Sequence, residues 1–271
     1  MNLGQPPLPT DPSHNEVADW VELVTLRRTK LTRGKLSTEL SRNGSPPGMP
    51  ADVWRELEER SKLGGMNWAF NISTDQISMR PGDTLLTAFF AALGLRQNIE
   101  NDHRQLFEQC VSELVRSLVP DVIRIGHPRR HPVSSSFREA FADYAKLICE
   151  EVIREPPATD NDLKMDVVAW RAFDDDRGGY VNLVGQCATG ADWEDKLEEL
   201  NISVVEDHLN WTVSPIRFFA TPHVVPRQKF RRASKRGGII LDRPRLLELS
   251  RHSQLESQTR DEIEDVVSNL Y

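Results

Sequence analysis

Three side chains of chemically distinct kinds fall close together between positions 166 and 196. Asp166 opens a strand-like run, Met165–Phe173, and Gln186 lies one residue before the end of a second run, Tyr180–Cys187. Lys196 follows in the stretch ADWEDKLEEL. An acid, oxygen donors at a strand end and an amine around one hairpin could hold a hard divalent cation and activate a water. The turn between the runs holds Asp174, Asp175, Asp176, Arg177, Gly178 and Gly179, residue types that tolerate turn geometry, so the two runs read as a β-hairpin. The three consecutive acids read as an acidic turn before they read as a metal cluster.

The flanking elements must carry this hairpin. Helical spacing is expected over Asn15–Leu40, over Ala51–Leu63 and over Thr84–Leu93, the last stopped by Gly94. The run Ala69–Met79 alternates loosely and reads as a strand or a ligand loop. Asp102–Leu118 repeats apolar residues at helical spacing, with Leu106, Phe107, Cys110, Val111, Leu114 and Val115 on one stripe. A short strand, Val122–Ile125, a basic loop with Arg129 and Arg130, and a helix over Phe137–Ile153 precede the hairpin. After it come a charged helix (Ala191–Leu200), a strand (Arg217–Thr221), a basic helix (Pro226–Arg236), a strand (Gly238–Leu241) and a helical turn (Pro244–Ser250).

Composition limits the function classes. The chain has 271 residues, 38% hydrophobic and 28% charged, which is enough for a substantial core. No apolar run approaches the roughly 20 residues that span a bilayer. The N-terminus lacks the basic and apolar regions of a signal peptide. Three widely spaced cysteines, Cys110, Cys149 and Cys187, give no zinc spacing and suit a reducing cytoplasm. The net charge is −7, so nucleic-acid contact would have to come from local basic segments. The densest is Arg227, Lys229, Arg231, Arg232, Lys235 and Arg236, where six cations would repel one another without an anionic partner.

This order of elements resembles the PD-(D/E)XK restriction-endonuclease-like nucleases. Its distal run, RFFATPHVVPRQKFRRASKRGGIILDRPRLLELS, looks like the end of Mrr-type members. The resemblance covers about residues 134–250. It implies an α/β fold, with a mixed central sheet flanked by helices over residues 101–250. A mostly helical N-terminal module (1–100) precedes it, and a polar C-terminal helix or tail (251–271) follows. It implies Asp166 as metal ligand, Gln186 at the Glu-or-Gln position, the backbone carbonyl of Cys187 as a further ligand, and Glu139 as the acid of the preceding helix. Asp162 rivals Asp166 for the metal position. The motif lysine is replaced by Ala188, giving QxA, and Lys196 is the expected substitute. Lys196 also lies four residues after Asp192, where the two could form a solvated pair.

The resemblance further implies Mg2+ or Mn2+ as cofactor and hydrolysis of nucleic acid, DNA in the first instance, in a bacterial defence or restriction setting. A partner protein or ATPase subunit and a homo-oligomer belong to the same expectation. The basic helix, with Arg129 and Arg130, would contact phosphates. The alternative is a catalytically inactive nuclease-like fold that binds DNA or scaffolds a complex. A plain interaction protein is a third reading.

Overall fold

The computed structural model describes residue 8, residues 10–95 and residues 101–269. Helix α1 (His14–Arg28) starts at a capping box, in which Ser13 and Glu16 satisfy each other's backbone N–H groups. The helix expected to reach Leu40 ends here. Thr29 takes a left-handed conformation with φ of 63°, and the chain enters strand β1 (Lys30–Thr32) and then helix α2 (Arg33–Arg42). Leu31 buries against Ile77 in that register, which a continuous helix would forbid. Helix α3 (Met49–Gly64) follows, and the loosely alternating run is a true hairpin, β2 (Phe70–Ile72) and β3 (Gln76–Met79). These strands form a small antiparallel sheet in the order β1-β3-β2.

Helix α4 (Leu85–Leu95) is buried along most of its length. Gly94 does not stop it. A side chain at that position would collide with Asp19 and Arg243, so glycine is required there for packing. Helix α5 (Asn101–Val115) follows, with Phe107, Cys110, Val111 and Leu114 fully buried.

The central sheet comes next. Strand β4 (Asp121–Arg124) leads to helix α6 (Phe137–Leu147), which ends earlier than its apolar pattern suggests. Cys149 has φ of 55°, and the chain turns into β5 (Glu151–Val152). The hairpin is formed as expected by β6 (Val167–Arg171) and β7 (Val181–Cys187), with Val168 opposite Val184. Helix α7 is a single turn (Trp193–Lys196), followed by α8 (Ile202–Glu206) and β8 (Leu209–Asn210), which pairs with β5. Strand β9 (Ile216–Ala220), helix α9 (Arg227–Gly237), strand β10 (Ile239–Leu241), helix α10 (Arg243–Leu249) and helix α11 (Ser257–Asn269) complete the chain.

The sheet order is β10-β9-β7-β6-β4. Strands β4, β6 and β7 are antiparallel neighbours, whereas β9 and β10 run parallel to β7. Helices cover both faces, so the chain is a mixed α/β protein. On one face Val167, Ala169, Leu183 and Phe218 join a core with residues of α1, α3, α4, α5, α10 and α11. That core runs through residues on both sides of position 100. On the other face Val168, Trp170 and Val184 pack under α6, and a smaller cluster around Phe219 and Ile240 lies under α7 and α9. Gly185 is required in β7, because a Cβ there would overlap the ring of Phe218. Among the described residues no helix is long and apolar enough to cross a membrane.

Candidate active site

The end of the sheet where β6 begins and β7 finishes gathers the chemistry. The backbone before β6 is unusual: Leu163 and Lys164 both have positive φ, 51° and 63°. Asp162 steadies this bend by accepting the Lys164 N–H at 2.9 Å. Asp166 is then locked between both neighbouring strands. Its carbonyl accepts the N–H groups of Ile125 and Gly126, and its own N–H donates to the Gly185 carbonyl. Its Oδ2 accepts the backbone N–H of Cys187 at 2.7 Å. The group of Cys187 seen to touch Asp166 is therefore an amide donor.

The acid that joins Asp166 comes from α5. A Cβ built on Gly126 would lie 2.8 Å from Glu108 Oε2 and 3.0 Å from Asp166 Oδ1, so the two carboxyls converge over a position that only glycine leaves open. Arg124 ion-pairs with Glu108 at 2.7 Å. Burial pushes the Asp166 carboxyl well above the usual aspartate value, and the negative charge of Glu108 pushes it further. Burial also raises Glu108, against the pull of Arg124. Cys187 lies on the same side, and its thiol is pushed up by burial and by Asp166.

Glu108 was not among the expected ligands. The sequence does carry a signal for it: it sits directly after Phe107 in the apolar stripe of the helix that precedes the first strand of the sheet. Glu139, the expected helix acid, is instead exposed at the start of α6. Its carboxylate accepts the Ser134 hydroxyl at 2.5 Å and its N–H lies against the capping Ser136, so it organises a helix end. No contact joins it to Asp166 among the described residues.

Gln186 is buried, but alternation puts it with Val184 and Ala188 on the sheet face opposite Cys187. Its Nε2 donates to Glu199 at 3.0 Å, and Lys164 Nζ lies 3.7 Å from the same carboxylate oxygen. The Gln186 Oε1 is buried without a hydrogen-bond partner. Lys196 lies over the turn leaving β7, with its amine 3.5 Å from Asp192, which is the helix pair its spacing allowed. Among the described residues nothing links it directly to Asp166. Two amines, Lys164 and Lys196, thus border the end of β7. Ala188, at the motif-lysine position, is packed with Trp193 and Phe219. No three His, Cys, Asp or Glu side chains among the described residues gather closely enough to hold a metal by themselves.

The basic residues divide. Arg129 is not available to phosphate: it donates to the carbonyls of Ile125, Asn161 and Ser135 and lies over the Phe137 ring. Arg130 pairs with Glu262 and so ties the β4–α6 loop to α11. On α9, Lys229 and Arg236 pair with Glu194 and Glu198. Arg227 lies near Glu59 and Lys62. Arg231, Arg232 and Lys235 are exposed and make no side-chain hydrogen bond or ion pair among the described residues. The acidic turn is a turn, with Asp175 bound to Arg177. No protein-family model, no curated protein and no solved structure matches the chain.

Proposed function

We propose that the chain is a divalent-metal-dependent phosphodiesterase of the PD-(D/E)XK kind, acting on nucleic acid and first of all on DNA. The observation that carries this reading is the convergence of Glu108 and Asp166 over Gly126 at the sheet end, each carboxyl held above its ordinary value. The element order supports it: a helix, three antiparallel strands, a helical crossover and a parallel strand.

The donor set fits magnesium or manganese. Two carboxylates raised by burial and, for Asp166, by its acidic neighbour are relieved by a divalent cation, and Mg2+ keeps several waters beside one or two protein carboxylates. Glu108 and Asp166 would hold the ion, with the Cys187 carbonyl as a third donor. Bound there, it would supply Lewis acidity to a phosphodiester and acidify a water. Arg124 holds Glu108 in place, and a cation bound by Glu108 would share that carboxylate with it. Lys196, with Lys164 as the other amine near the end of β7, would supply positive charge for the phosphorane-like transition state. Arg231, Arg232 and Lys235 position the phosphate backbone without reading its sequence.

The second reading is an inactive nuclease-like fold that binds DNA through α9. It is favoured by Arg124, which already neutralises Glu108, and by the apolar surroundings of Ala188. Cleavage of supercoiled plasmid with Mg2+ or Mn2+ separates the two. We expect nicking by the wild type, lost at least 100-fold in Asp166→Ala and Glu108→Gln and reduced in Lys196→Ala. Salt-sensitive DNA binding without metal-dependent nicking in any condition would favour the inactive reading.

A further inference from the structure

The helical layer contains a cavity of about 630 Å3 that shares no lining residue with the acid pair. It lies between the turn after β3, the start of α4 and the α10–α11 connection. Its size is that of a small-molecule pocket. Its wall carries three arginines, Arg80, Arg251 and Arg260, against one carboxylate, Asp83, in a protein of net charge −7.

The donors are held ready. Arg80 is fixed by Asn71 at 2.7 Å and by the Gly65 carbonyl at 2.8 Å, through Nε and Nη1. Its Nη2 has no acceptor among the described residues. Arg260 is fixed by Asp83 and Glu264 through Nη2 and Nε, leaving Nη1. Asp83 is occupied twice, since it also accepts the Leu85 N–H. Arg251 is exposed and makes no side-chain hydrogen bond or ion pair among the described residues. Trp68 lines the same cavity. It is 1% exposed, and its indole N–H is buried without a hydrogen-bond partner among the described residues. The unused N–H groups of the three guanidiniums are donors, the complement of an anion. The first turn of α4 borders the same space and adds positive potential. Leu86, Leu247 and Leu255 give the remaining wall an apolar character that a bare phosphate would not use.

We propose that this cavity binds a small nucleotide, with its phosphates against the three arginines and its base against the apolar wall. Isothermal titration calorimetry with ATP and with GTP, in EDTA so that no metal reaches the acid pair, tests this. At least one of the two should bind the wild type, and Arg251→Ala should weaken it tenfold or more. Because the exposed Arg251 side chain makes no hydrogen bond or ion pair among the described residues, that variant should leave the fold intact. Adenosine or guanosine should bind at least tenfold more weakly than the corresponding triphosphate. The paired control, Arg231→Ala with Arg232→Ala on α9, should leave the affinity unchanged. Absence of binding by both nucleotides overturns the proposal. So does binding that survives Arg251→Ala and is lost in the α9 variant, because the anion then sits on the basic helix.

Discussion

At the residue scale the acid pair makes a prediction that does not depend on turnover. Asp166 has its folded-state pKa raised above the unfolded value, so the folded chain retains the proton more tightly. Its contribution is then most favourable at low pH, and stability is lost as pH rises above the ordinary aspartate value of 3.8 and through the raised folded-state value. Asp166→Asn removes the charge but can still accept the Cys187 N–H through its amide oxygen. In metal-free buffer at pH 8 this variant should be more stable than the wild type by about 1–3 kcal/mol, the scale of an incompletely satisfied buried polar group. The difference should shrink as pH falls. Millimolar Mg2+ or Mn2+ should raise the melting temperature of the wild type and not that of the variant. Equal stability at all pH values, with no metal response, would remove the physical basis of the site. The position of Asp166 was legible from sequence because it stands where a strand begins beside a turn. Glu108 was not, because its partner lies 58 positions away and the glycine that brings them together belongs to a third element. Glu139, the acid expected to join Asp166, lies instead at the start of α6 with Ser134 and Ser136, where a serine-rich approach to a helix suits an acid for purely local reasons.

At the element scale the hairpin and the strands that follow it were readable, since aromatic and β-branched runs broken by Asp and Gly carry their own register signal. Misreadings occurred where distant packing overrides local pattern. Gly94 sits inside α4 because charges from α1 and α10 press on it, and α1 ends at Thr29 because Leu31 is needed opposite Ile77. The edge strand β10 holds a feature that sequence alone does not disclose. The Leu241 carbonyl accepts the Thr221 N–H, so alternation turns the Ile240 carbonyl to the open edge of the sheet. Arg245 covers it, donating at 3.0 Å while its guanidinium sits 4.5 Å over the Phe230 ring. Ile216 and Ile239 are exposed beside this edge. A charged side chain laid on an edge carbonyl is a known way to keep strands from pairing between molecules. Arg245→Ala should therefore increase self-association with little change in the melting temperature. Light scattering over a tenfold concentration range reads this, and a variant that stays at the wild-type mass would show that Arg245 does not guard the edge.

For the whole molecule, the question is whether the N-terminal helices are a separate module or part of the sheet domain. A network of buried charges argues for the latter. Arg60 of α3 lies 2.5 Å from Asp19 and 3.0 Å from Glu22 on α1, and Arg243, at the start of α10, lies 2.8 Å and 2.7 Å from the same two acids. All four side chains are at most 3% exposed. Arg243 also donates to the Pro222 carbonyl after β9, so the network fastens the first helix to the end of the central sheet. The two arginines hold Asp19 ionised and below its usual range despite burial, while burial leaves Glu22 raised. Such a cluster adds little net stability over an apolar one, but removing one member strands a buried charge at a cost of about 3–5 kcal/mol. Arg243→Ala should thus destabilise the chain by about that amount, whereas Arg243→Ala combined with Glu22→Gln should recover part of it, because the stranded charge is removed with its partner. If helical layer and sheet share one core, urea should unfold the chain in a single transition by both circular dichroism and tryptophan fluorescence, and Arg243→Ala should shift that transition as a unit. Two transitions, of which Arg243→Ala moves only one, would instead make the first hundred residues a module that folds by itself.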